Sequence, residues 1–211
     1  EKNRKIGFDI AKLLRTLFEE FKYTKLVVSG SYRDTLDNLV TKANAPFYKQ
    51  LLLREVQAFT QSEFDDFLKH YLSDLKFADI ETKELLYKIS SGIPYNLQLV
   101  GKEIQLQDIK KINSEKLNEI IRSVLRKEGE QSFNEFVQNL APAEIKVLKS
   151  ISKIPGLKPS DIAKNEFMSD SAVNVAFNSL SRKGMVRRLG RGAYEFTDNL
   201  FAEWLKLSDY L

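Results

Sequence analysis

From Thr60 to Leu180 the apolar residues return at three- and four-residue intervals, and that period commits most of this chain to helix. Thr60-Gln61-Ser62-Glu63 has the form of a capping box and opens a helix carrying Phe64, Phe67, Leu68 and Tyr71. A second helix is expected over 82–90, with Leu85, Leu86 and Ile89 inward. Ser91-Gly92-Ile93-Pro94 stops it and starts a third, over 95–104, with Leu97, Val100 and Ile104 on one face. Asn113-Ser114 caps a long segment with Leu117, Ile120, Ile121, Val124 and Leu125, continued beyond Gly129 by Phe133, Phe136, Val137 and Leu140. Pro142 suits the first turn of a following helix, so a domain boundary is expected near 139–142.

Upstream of Thr60 the pattern changes. Ile10, Leu14, Leu17, Phe18 and Phe21 mark an amphipathic helix over 8–21. Lys25-Leu26-Val27-Val28-Ser29-Gly30-Ser31 is a short β-branched run that reads as a buried strand opening into a loop. A short helix over 34–40 and a second candidate strand, Leu51 to Val56, follow. Two strands cannot bury both faces of a sheet, so this region reads as part of a parallel α/β layer. The expected class is mainly α with a small β component (α+β).

Composition narrows the chemistry. The 211 residues hold 33 Lys+Arg against 29 Asp+Glu, a net charge of +4, with no cysteine and a single histidine. Zinc ribbons, disulfide frameworks and cysteine nucleophiles are excluded, and His70 alone builds neither a multi-histidine metal site nor, in practice, a serine–histidine triad. His70 lies among Phe67, Leu68 and Tyr71 and reads as structural, as do Asp65 and Asp66, since helix neighbours point apart. No metal site is expected. No apolar run approaches the ~20 residues of a membrane span and no signal peptide is visible, so the chain reads as soluble and cytoplasmic, with no membrane partner.

The residues after Leu140 follow another order. Ile145, Leu148 and Ile151 mark one helix, 158–165 a shorter one, and Ser169 or Asp170 caps a third that Gly184 stops. Met185 to Leu189, a Gly190-Arg191-Gly192 turn and Ala193 to Thr197 then read as a hairpin. Three helices and a glycine-tipped hairpin are the order of a winged helix-turn-helix. On the third helix Val173, Ala176, Phe177 and Leu180 form the core stripe, leaving Ser171, Asn174, Asn178 and Arg182 outside, with Lys183 beyond. Asn pairs with adenine edges and Arg with guanine or phosphate. Arg187, Arg188 and Arg191 add a cationic wing, so 182–191 holds five cations and no acid. The expected DNA-binding set is therefore Ser171, Asn174, Asn178, Arg182, Lys183, Arg187, Arg188 and Arg191. The competing reading is a solvated helix face on a module that docks protein; Trp204 reads as packing for this region.

Taken in order, the Ser29-Gly30-Ser31 strand, Ala45-Pro46-Phe47-Tyr48-Lys49, the helix from Thr60, Ser91-Gly92-Ile93-Pro94-Tyr95-Asn96 and the closing Asp198-Asn199-Leu200-Phe201-Ala202-Glu203-Trp204-Leu205 resemble the second half of an archaeal AAA+ ATPase of the STAND type. The resemblance covers nearly the whole chain. It implies a remnant of a P-loop ATPase sheet over 1–59, a helical lid with a connecting helix over 60–139 and a winged helix over 140–211. It further implies nucleotide sensing by Ser29, Ser31 and Lys49, and a lid junction at Gly92 and Pro94. The departures are as informative. No Gly-x-x-x-x-Gly-Lys-[Ser/Thr] loop and no acidic strand end exist in the chain, so ATP and Mg2+ are expected only for a full-length protein. The missing half is expected upstream of Glu1, and this chain alone is expected to be inactive. The alternatives are a stand-alone winged-helix transcriptional regulator and a protein-docking winged helix, either with self-association.

Overall fold

The computed structural model describes residues 2–30, 33–129, 133–190 and 192–208. The chain divides into two compact units, one of Glu1–Val56 with Arg182–Gly184, the other of Gln57–Ser181 with Met185–Leu211.

The first unit contains α1 (Lys2–Glu20) and α2 (Arg33–Val40). A turn-rich segment follows, in which Ala45 and Phe47 are buried. Arg15 joins α1 to that segment: its Nε donates to Glu19 Oε1 at 2.9 Å and its Nη1 to the Pro46 carbonyl at 3.2 Å. Gln50 Nε2 donates to the same Glu19 oxygen at 2.9 Å. These donors hold the Glu19 carboxyl below its ordinary range, Arg15 contributing most.

Neither strand expected here forms. Residues 22–30 and 52–60 carry no ladder, with Val27 87% and Val56 95% exposed. The physical reason is pairing: a β-branched run becomes a strand only when a neighbour accepts its N–H groups, and two short runs supply too little. The apolar stripe of α1 is likewise exposed at Ile10, Leu14 and Leu17, as is Phe21 just beyond the helix.

The second unit carries one continuous hydrophobic core. Its helices are α3 (Gln61–Tyr71), α4 (Ile80–Ser90), α5 (Pro94–Leu106), α6 (Ser114–Glu128), α7 (Asn134–Gln138), α8 (Pro142–Lys153), α9 (Pro159–Asn165), α10 (Asp170–Arg182, the last residue grouping with the first unit) and α11 (Asn199–Leu207). The caps are those the side chains dictate. Thr60 Oγ1 accepts the Glu63 N–H at 3.3 Å while Glu63 Oε2 accepts the Thr60 N–H at 2.7 Å, a complete capping box. Asp79 accepts from Thr82 at 2.7 Å and Asn113 from Lys116 at 2.9 Å. Two short parallel strands, β1 (Lys76–Phe77) and β2 (Lys111–Ile112), pair across the α4–α5 crossover.

Residues on both sides of 139–142 share the core: Phe64, Leu86, Leu97 and Ile120 belong to the same cluster as Leu148, Phe177, Leu200 and Trp204. After α10 come β3 (Val186–Gly190) and β4 (Ala193–Phe196), antiparallel, with Arg187 opposite Glu195 and Arg188 opposite Tyr194. Phe177 and Tyr194 stack with ring centroids 3.9 Å apart, fastening the hairpin to α10. Phe133, Phe201 and Trp204 interlock where α11 closes the unit.

Candidate nucleic-acid interface and lid junction

Helix α10 divides cleanly into two faces. Val173, Ala176, Phe177 and Leu180 are buried, as their spacing requires. Ser171, Asn174 and Asn178 are exposed on the other side. The Ser169 hydroxyl accepts the Ala172 N–H at 3.1 Å and caps the helix start. Arg182 ends α10 with an exposed side chain; it and Lys183 group with the first unit. The face described for the second unit is therefore Ser171, Asn174 and Asn178, with the hairpin's Arg187 and Arg188.

The two hairpin arginines are not equivalent. Arg187 Nε donates to Glu195 Oε1 directly across the β3–β4 pair. Counting charges along 182–191 misses this acid, because it lies on the neighbouring strand. Arg188 Nε donates to the Gly190 carbonyl at 2.9 Å, a bond in which its charge meets no carboxylate. Arg191 and Ser31 lie outside the described residues.

The Gly92–Pro94 step is tightly specified. Ser91 and Gly92 are both left-handed, with φ 54 and 66, and end α4. The Gly92 carbonyl accepts the Phe59 N–H at 2.8 Å, and Tyr87 OH donates to the Phe59 carbonyl at 2.9 Å. Pro94 occupies the first turn of α5, where a missing N–H costs nothing. Asn96, 1% exposed, donates through Nδ2 to the Ser90 carbonyl at 3.3 Å and to Asp198 Oδ1 at 2.8 Å.

Asp198 in turn caps α11, accepting the Leu200 N–H at 2.9 Å and the Phe201 N–H at 3.1 Å. Burial pushes its carboxyl above the ordinary aspartate range, against the pull of those donors. Asn199 completes the latch: its N–H donates to Ser91 Oγ at 2.9 Å and its Nδ2 to the Lys88 carbonyl at 2.7 Å. Asn96 and Asp198 are residues whose role the sequence concealed; two polar groups a hundred positions apart carry no local signal.

Ser29 is exposed in the unpaired segment of the first unit, and Lys49 is exposed with its ammonium 5.3 Å from the ring of its neighbour Tyr48. Among the described residues no group of three or more His, Asp or Glu could hold a metal ion. The sequence contains no Gly-x-x-x-x-Gly-Lys-[Ser/Thr] phosphate loop. Asp65 and Asp66 take separate partners, Lys83 at 2.8 Å and Lys69 at 3.2 Å, and His70 meets Tyr71 edge-on. No helix among the described residues is long and apolar enough to cross a membrane.

The sequence matches no known family profile and no curated protein. Solved structures do match. The chain superposes on a Walker-type ATPase of Pyrococcus abyssi with a TM-score of 0.73 and 16% identity, over 95% of this chain and 58% of that one. The fold resembles part of a Walker-type ATPase. It spans less than two thirds of that neighbour's length. RuvB of Thermotoga maritima, a Holliday junction branch migration motor, also matches, at 17% identity over 70% of this chain and 49% of that one, but its TM-score of 0.30 supports nothing further. This ATPase-like, helix-rich α+β fold agrees with the fold class expected from the sequence.

Proposed function

We propose that this chain is the lid and winged-helix portion of an archaeal AAA+ ATPase of the STAND type, and that its winged helix binds DNA. In this reading α3–α7, within 60–139, form the lid and its connecting helix, and α8–α11, within 140–211, form the winged helix. The observation that carries it is the two-faced α10: one side is locked into the core and the other exposes Ser171, Asn174 and Asn178, and the hairpin that follows in the chain exposes Arg187 and Arg188. The likeness to a Walker-type ATPase along almost the whole chain supports the ATPase context.

The chemistry follows from the side chains. Asn174 and Asn178 offer paired donor and acceptor groups to base edges, while Arg188 offers a guanidinium to phosphate. Arg187, already joined to Glu195, adds less net charge to that contact. Arg182, Lys183 and Arg191 extend the basic stretch in the same reading. Nucleotide and Mg2+ belong to a phosphate loop outside this sequence, and Ser29, Ser31 and Lys49 are the positions proposed to sense them.

The Asn96–Asp198 and Asn199–Ser91 bonds tie α11 to the α4–α5 junction, so lid and winged helix would shift as one body when nucleotide moves the lid.

Mobility-shift titration of duplex DNA across salt tests the reading. Affinity should fall steeply with salt, and Arg188→Ala should flatten the slope by about one unit while Arg187→Ala does less. Absence of duplex binding at low salt would leave the protein-docking alternative.

A further inference from the structure

We infer that Phe167 is a stacking wedge, a bare aromatic ring at the amino end of α10 that occupies unstacked or unpaired bases in DNA. The inference rests on the DNA-binding reading above and deepens it by naming the form of DNA preferred.

The ring's position is unexplained by folding. Helix α9 ends in a Schellman motif: the Phe167 N–H donates to the Lys164 carbonyl at 3.4 Å and the Met168 N–H to the Ala163 carbonyl at 2.9 Å. Phe167 fills the left-handed position of that motif, with φ 53, where glycine or asparagine is usual and a bulky residue is strained. The other non-glycine residues described with positive φ are Lys49, Ser91 and Asp108, all polar. Strain of this kind is normally offset by burying the side chain. Here Phe167 is 98% exposed, while the next residue, Met168, packs against the core. A large apolar ring thus stands in water, on a backbone that disfavours it, with no packing in return. Such outliers point to function.

Its place in the chain says which function. Phe167 lies three residues before α10, and the amino end of a recognition helix is the part that reaches bases in helix-turn-helix proteins. Exposed Lys164 and Asn165 precede it. An aromatic ring stacks on any base, and each such contact is worth roughly ten- to a hundredfold in affinity. A ring entering an intact duplex must first open a base step, which costs least where bases are already mispaired, bulged or single-stranded. The preferred ligand is therefore DNA with unstacked bases.

The experiment uses the full chain with two otherwise identical oligonucleotides, an intact duplex and one with a short bulge containing 2-aminopurine. The bulged DNA should bind about tenfold more tightly, with the 2-aminopurine fluorescence quenched. Phe167→Gly and Phe167→Ala should abolish the preference and the quenching while leaving intact-duplex affinity unchanged, and Phe167→Tyr should keep both. Because Phe167→Gly relieves the left-handed strain, its Tm should hold or rise, which separates lost stacking from lost folding. If the Gly variant binds the bulge as tightly as the parent, the wedge is wrong and the DNA-binding reading stands. If the parent chain binds neither oligonucleotide at low salt, both fall.

Discussion

Gly92 shows how a single residue sets the junction between α4 and α5. A Cβ there would lie 2.5 Å from the Phe59 carbonyl oxygen, and its φ of 66 is left-handed as well. Gly92→Ala therefore meets two penalties, a backbone one and a collision with main chain that cannot swing aside. Gly156 provides the control: its φ is 80, yet nothing lies within 4 Å of its Cβ position. Urea denaturation should show Gly156→Ala costing about 1 kcal/mol and Gly92→Ala about 3 kcal/mol. Equal losses would mean that the Phe59 approach contributes nothing. The same residue-scale logic separates Arg187 from Arg188. Both are wing arginines in sequence, but only Arg187 is bonded to Glu195.

At the scale of elements, legibility follows the range of the interaction that makes each element. The Thr60 box is local, with donor and acceptor three residues apart, and it forms as its sequence reads. Thr60→Ala should lower stability by about 1 kcal/mol in thermal melts, and Thr60→Ser should restore most of it. The α10 stripe is local too, and Val173, Ala176, Phe177 and Leu180 all went inward. Strands depend on partners. The run at 25–29 looks like a strand only if something pairs with it, and Val27 stands exposed instead. Strands β1 and β2, of two residues each, are too short to leave an alternating pattern. Asn96 and Asp198, like Arg187 and Glu195, find each other through the fold, and no spacing rule joins them beforehand. The proposed DNA face was thus readable as a set of residues, but its charge distribution was not.

Across the whole molecule, two acidic groups work in opposite directions with pH. Glu103 lies buried on α5, where Lys127 of α6 donates at 2.8 Å, with Gln107 and Ser123 adding hydrogen bonds. Together, and with Lys127 contributing most, they hold its carboxyl down to about 2, from an ordinary value of 4.5. A lowered native pKa stabilises the fold above 4.5, and that contribution is lost as pH falls towards 2. Glu63, Asp79 and Glu119 are shifted in the same direction by their caps and partners. Asp198 is raised by burial, so its ionisation opposes folding at neutral pH and its protonation on acidification favours the folded state. The lowered group is the larger set, so the urea midpoint should fall on acidification. Glu103→Gln should cost about 1–3 kcal/mol at pH 7 and flatten the acid side of the profile. Asp198→Asn, whose amide oxygen can still accept from Leu200 and Phe201, should instead steepen it. Because Glu103 joins α5 to α6 whereas Asp198 joins α5 to α11, acid should loosen the α5–α6 contact before the latch. Hydrogen exchange as the pH falls from 4.5 towards 2 should therefore expose α6 amides while α11 amides stay protected, and the reverse order would overturn this assignment of the two carboxylates.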